Sequence, residues 1–223
     1  MTVLTIASSK GGPGKTTVAQ VIAVRAAPLM RVVVLDADPS EAFKRWAANA
    51  YEGVAFETLA EPDETRLAHL IASKADEVDL VLVDTAGFGN RAATVAMTSA
   101  DAVLVPVGSG EADITEAEKT VRLVEGLARA ARREIPVRVI FNRTKRTALT
   151  KHAAKEVATA GLARLAAELS DRVAYGELSF SGRLPASGAA ADEIATLLAE
   201  LQALGWIPAR KVVKTSLRKA AKT

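Results

Sequence analysis

The sequence predicts an α/β fold with a doubly wound, mainly parallel sheet and helices on both faces. Short runs of consecutive apolar residues recur along the chain, for example at residues 32–35 and 80–83, as strands buried on both faces require. Stretches with helical spacing separate these runs, and several runs end in acidic or glycine-rich turns. Such turns at the carboxyl ends of parallel strands form ligand sites, so one edge of the sheet is the predicted functional edge.

Length and charge predict one domain over residues 1–208 and a basic tail over residues 209–223. The chain has 223 residues and a net charge of +3, and one α/β domain of this size is ordinary. The tail contains six basic residues and no acidic one, so the basic character is terminal. Disorder, DNA contact and membrane contact remain open for this tail.

Composition excludes several classes of protein. There is no cysteine, which excludes structural disulfides, thiolate zinc sites and cysteine-held iron–sulfur clusters. Aromatic residues make up 4% of the chain, so no stacking platform for single-stranded nucleic acid is expected. His69 and His152 have no second candidate metal ligand at useful spacing. No signal peptide and no membrane-length apolar stretch is seen, which predicts a cytoplasmic protein.

The first strand, residues 3–7, leads into a glycine-rich loop that precedes a helical stretch at residues 18–24. Glycines between a strand and a helix let backbone N–H groups face a phosphate chain, with the positive end of the helix dipole behind them. The pattern predicts a nucleotide cradle formed by Lys10, Gly11, Gly12, Pro13, Gly14, Lys15, Thr16 and Thr17.

Two residues of this loop carry specific chemistry. Lys15 is predicted to lie against the β- and γ-phosphates, and the Thr16 hydroxyl to be a ligand of the Mg²⁺ that bridges them. The first glycine of the general phosphate-loop pattern is replaced here by Ser9, and a second lysine, Lys10, begins the loop. The alternative is a glycine-rich turn with two solvated lysines.

With this loop the chain resembles the ParA/MinD family of P-loop ATPases, whose deviant Walker A motif has the same form. The resemblance implies an ATP and Mg²⁺ site, and a homodimer formed on ATP binding in which Lys10 reaches the nucleotide of the partner. It is nearest to the short ParA type, which lacks an added N-terminal DNA-binding domain, because the nucleotide strand already begins at residue 3.

Acidic residues follow the next strand, residues 32–35. In the resembled family this Asp-x-Asp-Pro segment is a switch, so the resemblance implies that Asp38 orients the attacking water and Asp36 supports the Mg²⁺ shell. A compatible alternative is a helix start, with Asp38 or Ser40 as N-cap. The helix over residues 40–50 then places Phe43 and Trp46 on one face, as core or dimer-interface residues.

A short strand at residues 54–59 and a helix at residues 62–74 precede a second motif of the predicted nucleotide site. Residues 80–83 are apolar and run into Asp84, which suits a Walker B strand whose aspartate binds Mg²⁺ directly or through water. The segment from Thr85 to Gly87 is predicted to shift when the γ-phosphate is lost.

Two further strands are expected at residues 102–107 and 136–141, with Pro106 ending the ladder of the first. Between them, a loop of small residues leads to Asp113 and a helix over residues 114–133. Asn142 follows the second strand, and the resemblance implies that its amide recognises adenine. The alternative is an asparagine that satisfies turn backbone.

The last quarter of the chain is less informative. A basic cluster is open to a DNA contact or a solvated helix face: Arg143, Lys145, Arg146, Lys151 and Lys155. Residues 162–169 have the composition of a helix, whereas the resemblance implies a short strand there. A final helix over residues 189–204 has one apolar stripe and Gly205 as its cap.

The resemblance, together with these patterns, implies a ParA-like ATPase that dimerises on ATP, binds DNA without sequence preference and segregates or positions a plasmid, chromosome or other cargo. A ParB-like or other stimulating protein and association with the nucleoid are implied by the resemblance. The alternatives are a MinD-like ATPase at a membrane surface and a metabolic ligase or kinase similar to the dethiobiotin synthetases. The tail has too small an apolar face for firm membrane insertion, so membrane binding is disfavoured.

Overall fold

The computed structural model describes residues 1–87 and 89–209. All of the predicted basic tail except Ala209 lies outside the described residues. Seven strands form one sheet in the order β3-β2-β4-β1-β5-β6-β7, and every neighbouring pair is parallel. The doubly wound parallel α/β class predicted from the sequence is confirmed. The strands are β1 (Thr2–Ile6), β2 (Val32–Asp36), β3 (Glu57–Ala60), β4 (Leu80–Asp84), β5 (Ala102–Val107), β6 (Val137–Thr144) and β7 (Arg164–Ser170).

Helices connect successive strands and cover both faces of the sheet. They are α1 (Lys15–Ala26), α2 (Ala42–Asn49), α3 (Glu64–Glu77), α4 (Arg91–Ser99), α5 (Glu111–Ala131), α6 (Ala148–Thr159), α7 (Val173–Ser181) and α8 (Ala189–Ala203). Side chains of α1, α2, α7 and α8 pack on one face, and those of α3 to α6 pack on the other. Because alternate residues of a strand point to opposite faces, the all-apolar central strands fill both cores.

The composition-based helix at residues 162–169 is wrong, and the strand implied by the family resemblance is confirmed as β7. Leu165, Ala167 and Leu169 are buried, whereas Arg164 and Ala166, which alternate with them, are exposed. This alternation has the period of a strand. Alanine and leucine favour helices, which is why composition alone pointed the other way.

Pro106 does not end the ladder of β5, contrary to the sequence prediction. The strand continues to Val107, and its pairing with β6 includes Pro106 and Val107. The Leu104 carbonyl accepts a hydrogen bond from Ala7, so alternate residues of β5 face β1. Pro106 therefore faces the side on which β1 has already ended at Ile6, and its missing N–H breaks no pairing.

Helix α2 begins later than expected. It starts at Ala42 after Glu41, whose φ of 49° is left-handed, and neither Asp38 nor Ser40 is its cap. The core assignment of the two aromatic residues is correct, because Phe43 and Trp46 are buried with ring centroids 5.3 Å apart. Trp46 Nε1 also donates to the Leu178 carbonyl at 2.9 Å, which joins α2 to α7.

Candidate functional site

The carboxyl ends of the central strands bring the predicted acidic residues together. In the registers of the β2–β4 and β4–β1 pairs, Asp36 lies opposite Asp84, and Asp84 lies opposite Ile6. Neighbouring strands are about 4.8 Å apart in the hydrogen-bonding direction. Both aspartates therefore lie beside the start of the glycine-rich loop that follows β1.

Two glycines of the loop have backbone conformations that L side chains rarely adopt. Gly12 has φ 100° and Gly14, directly before α1, has φ 90°. A Cβ at Gly14 would also collide with the Asn142 amide. Gly11 and Gly12 are exposed, so their backbone lies at the open edge of the sheet, at the positive end of α1.

Ser9, which replaces the first glycine of the general pattern, anchors the loop to α5. Its backbone N–H donates to Thr120 Oγ1 at 2.9 Å, and its hydroxyl donates to the Glu116 carbonyl at 2.7 Å. A glycine could make only the first of these bonds. The departure from the general pattern therefore has a structural role that the sequence did not reveal.

Lys15 is the first residue of α1 and only 8% exposed. Its Nζ donates to the Lys10 carbonyl at 3.2 Å. Burial lowers the pKa of Lys15, and the attraction of Asp84 and Asp38 opposes this effect. The ammonium group thus lies between the loop backbone and the acidic strand ends.

Asp84 differs from the other acidic residues at this edge in the hydrogen bonding of its carboxylate. It is 1% exposed, and neither carboxylate oxygen has a hydrogen-bond partner of good geometry among residues 1–87 and 89–209. Burial raises the pKa of Asp84 to about 7, an effect that the neighbouring Thr16 hydroxyl and Lys15 ammonium limit. A buried carboxylate whose oxygens lack hydrogen bonds of good geometry requires an explanation. A cation that binds together with a ligand would provide it.

The two other acidic residues differ from Asp84. Asp36 is fully buried, and its oxygens accept from the backbone N–H groups of Asp38 at 3.2 Å and Lys44 at 2.9 Å. Burial raises the pKa of Asp36, against these hydrogen bonds. Asp38 is half-buried and accepts from the Ser40 N–H at 2.8 Å. Asp36 therefore fixes the turn that carries Asp38 and the start of α2.

Lys10 lies at the rim of the loop. Its Nζ is 3.0 Å from Asp113 Oδ1, and 47% of its side chain is exposed. Asp113 lies in the first turn of α5, so the start of this helix is in contact with the glycine-rich loop. In the single chain, Lys10 is paired but accessible.

A cleft of about 500 Å³ lies beside the N-terminus of α1. Thr17, Asn142 and Arg143 line one wall. Asn142 is 2% exposed, and its Nδ2 donates to the Pro13 carbonyl at 2.7 Å. This is the backbone contact that the sequence analysis gave as the alternative, and it leaves one N–H and the Oδ1 acceptor for a base edge. Adenine recognition by Asn142 stays a prediction.

Sequence reasoning missed several residues of this cleft. Arg143 has a left-handed φ of 56°, and its Nη1 donates to the Gly12 carbonyl at 3.2 Å. The opposite wall is formed by the end of β7, the connection after it and the first turn of α7, residues 170–176, including Arg172 and Tyr175. The available signal was the polar segment directly after the apolar positions of β7, which the helical interpretation of residues 162–169 concealed.

The glycine-rich loop, Lys15 and the buried carboxylates thus lie together at one edge of the sheet, beside a cleft of about 500 Å³. Residues 1–222 match the VirC1 protein family. The chain belongs to the VirC1 family.

Curated relatives extend the comparison. The VirC1-family chain is 35% identical to the protein ParA of Rhizobium radiobacter over 144 residues, 63% of this chain and 64% of that protein. It is 29% identical to the maintenance of carboxysome distribution protein A of Halothiobacillus neapolitanus over 206 residues, 89% of this chain and 95% of that protein. The match thus spans slightly less than two thirds of the ParA relative and nearly all of the carboxysome protein.

Solved structures share the fold at low sequence identity. The McdA–ATP complex from Cyanothece has a TM-score of 0.75 and 18% identity, covering 92% of this chain and 96% of that one. The septum site-determining protein MinD with Mg-ADP from Pyrococcus horikoshii has a TM-score of 0.71 and 19% identity, covering 92% and 97%. The ParA/MinD resemblance seen in the sequence is confirmed, and the chain has the fold of these positioning proteins.

Proposed function

We propose that this VirC1-family chain is a Mg²⁺-dependent ATPase that forms a homodimer on ATP binding and positions cargo by binding DNA without sequence preference. The observation that carries the proposal is the buried Asp84 carboxylate, whose oxygens have no hydrogen bond of good geometry within the described residues, beside Lys15 and Thr16 at the phosphate loop. The organisation proposed is one ATPase domain over residues 1–208. The cargo is a plasmid, a chromosome or another large assembly, and a ParB-like partner stimulates hydrolysis on the nucleoid.

The site residues have distinct proposed roles. Backbone N–H groups of Gly11, Gly12 and Gly14 and the ammonium of Lys15 hold the phosphates. Thr16 and Asp84 hold Mg²⁺, which would neutralise developing charge on the phosphates when bound.

No group of three or more His, Asp or Glu suited to a metal occurs in the described part of the chain. This is compatible with Mg²⁺, which keeps several waters and takes substrate phosphates as ligands.

The remaining roles concern water and the dimer. Asp38 orients the attacking water, and the hydrogen bond from the Asp38 N–H to Asp36 fixes the turn on which Asp38 lies. Lys10 contributes its ammonium to the nucleotide of the partner subunit. Asn142 offers its free N–H and Oδ1 to adenine.

The nucleotide and metal site is tested by ATP titration with and without Mg²⁺. We expect Mg²⁺ to tighten ATP binding about tenfold or more in the wild type, because Thr16 and Asp84 would hold the ion beside the phosphates and its charge would offset theirs. Asp84→Asn keeps the shape but removes the charge, and should lose most of this Mg²⁺ dependence. Asp79→Asn, at the opposite end of β4, is the matched control. A wild-type chain that binds no ATP would refute the proposed function.

The DNA-binding part of the proposal is supported by a basic surface on α6 and the loop before it. Residues 143–155 contain five basic residues and no acidic one, and all five are exposed. Arg143 contacts the phosphate loop, and Lys145 lies 3.3 Å from Asp171. No ion pair within the described residues occupies the other three, which are Arg146, Lys151 and Lys155.

We expect a triple glutamine variant of Arg146, Lys151 and Lys155 to lower ATP-dependent DNA retention about tenfold or more at moderate salt, since released counterions supply the binding free energy. Wild-type retention should itself fall steeply between about 50 and 200 mM salt. The charge-matched control is a triple glutamine variant of Lys119, Arg122 and Arg129 on α5. Equal losses in both variants, or retention by anionic vesicles instead of DNA, would contradict the assignment of this surface.

A further inference from the structure

Glu193 of α8 is the centre of a polar network that is not part of the phosphate site. Its Oε1 accepts from the Ser170 hydroxyl at 2.6 Å, and from Arg172 Nη2 at 2.7 Å and Nε at 3.0 Å. Its Oε2 accepts from the Tyr175 hydroxyl at 2.9 Å and the Ser170 N–H at 3.1 Å. One carboxylate thus connects the end of β7 to the first turn of α7.

The partners of Glu193 form one wall of the cleft beside the phosphate loop. Ser170, Arg172 and Tyr175 line this cleft opposite Asn142, whereas Glu193 itself does not line it. Helix α7 has no side-chain cap at Arg172, so α7 lacks the usual local device that would fix its start. The wall is therefore held in place by Glu193, which lies on α8 and does not itself line the cleft.

The carboxylate is well suited to be a fixed acceptor. The Glu193 side chain is 16% exposed. Burial opposes its ionisation, but the hydrogen bonds from Arg172, Ser170 and Tyr175 outweigh burial and lower the pKa of Glu193 to about 2. The group thus remains charged near neutral pH, and charge-assisted hydrogen bonds are about twice as strong as neutral ones.

We propose that Glu193 is a positioning residue that sets the base selectivity of the nucleotide site by holding the Ser170–Tyr175 wall opposite Asn142. This inference rests on the proposed nucleotide binding. The phosphate loop is held by different contacts, from α5 through Ser9 and from β6 through Asn142. Loss of the Glu193 network should therefore change the binding of the base and leave the binding of the phosphates nearly intact.

The test is calorimetric titration of Mg-ATP, Mg-GTP and inorganic tripolyphosphate into the full chain and its variants. In Glu193→Gln, the amide NH₂ replaces one of the oxygens that accepted hydrogen bonds and faces donors instead. We therefore expect about a tenfold loss of ATP affinity and a smaller ratio of ATP affinity to GTP affinity, called the ATP:GTP ratio below. Tripolyphosphate affinity should change less than about twofold, because no phosphate contact is altered.

A control on the same helix distinguishes positioning from general loss of stability. Glu200 also accepts from β7, from the Ala166 N–H at 2.8 Å and the Ala167 N–H at 2.7 Å, away from the cleft. Glu200→Gln should leave the ATP:GTP ratio unchanged. Tyr175→Phe, which removes one hydroxyl and keeps the ring, should shift the ratio in the same direction by about two- to threefold, even if Glu193→Gln folds poorly.

The outcomes separate the inference from the function on which it rests. A wild type that binds ATP, with Glu193→Gln and Tyr175→Phe at the wild-type ATP:GTP ratio, would overturn the role of Glu193 alone. Equal losses for ATP, GTP and tripolyphosphate would show a general structural effect and would also overturn it. A wild type that binds none of the three ligands would refute the nucleotide function itself, and the inference with it.

Discussion

Replacing Lys15 by alanine is expected to lower ATP affinity at least about 100-fold, the equivalent of about 3 kcal/mol, and to abolish hydrolysis. The ammonium is buried between the Lys10 carbonyl and the acidic strand ends. Without it, the buried Asp84 and the half-buried Asp38 would face the phosphates without the ammonium group that offsets part of their charge. Repulsion is therefore added to the loss of an attractive contact.

The measurement is titration of ATP with detection by heat or by a fluorescent analogue, followed by phosphate release. Lys44→Ala is the matched control, because Lys44 is a lysine at the start of α2 whose Nζ lies 3.3 Å from Glu41 at the surface. The circular dichroism and thermal unfolding of both variants should show that each is folded. If Lys15→Ala bound ATP within about threefold of the wild type, the phosphate site would not be where the loop predicts it.

The features that could be predicted from the sequence are those determined by residues close together in the chain. Central strands such as residues 80–83 are apolar at every position because both faces are covered, so they stand out in one short window. The glycine-rich loop is equally local, since the left-handed φ of Gly12 and Gly14 is what requires glycine there. These features predicted the fold class, which is confirmed, and they place the proposed phosphate site at this loop.

Features that depend on distant contacts could not be predicted in the same way. Ser9 has its hydroxyl partner 107 residues away on α5, so the sequence alone showed only a missing glycine. Helix α7 exposes Val173 and Phe180, 78% and 87% accessible, and its apolar residues do not mark a buried face. Helices α4 and α7 were not predicted, and α6 was only an open alternative, as a solvated helix face. The wall of the cleft beside the phosphate loop was missed with α7.

The comparison of the two strand-end aspartates shows what geometry adds to a motif. The sequence assigns both aspartates to the Mg²⁺ shell, Asp36 through the family resemblance and Asp84 through the Walker B pattern. In the structure the oxygens of Asp36 accept two backbone N–H groups, whereas those of Asp84 accept none within the described residues. The proposed metal ligand is therefore Asp84, and Asp36 is a support for the turn that carries Asp38.

Replacing Lys10 by alanine is expected to abolish the ATP-dependent dimer while leaving ATP affinity of the single chain within about threefold. In the structure Lys10 forms an ion pair with Asp113 of the same chain, at 3.0 Å and with 47% of the lysine side chain exposed. Surface pairs of this kind contribute about 0–1 kcal/mol, so a partner nucleotide with several phosphate charges can displace Asp113. The pair is therefore no obstacle to the transfer of Lys10 across a dimer.

Sedimentation velocity with ATP, in an Asp38→Ala background that we expect to slow hydrolysis, measures this dimer directly. Asp113→Asn is the matched variant, because it removes the intramolecular partner of Lys10 and keeps Lys10 itself. We expect Asp113→Asn to dimerise at least as well as its parent, and Lys10→Ala to remain monomeric. If Lys10→Ala formed the dimer as readily as its parent, the second lysine would have only its local contact with Asp113. The distinction between this loop and a general phosphate loop would then have no functional consequence.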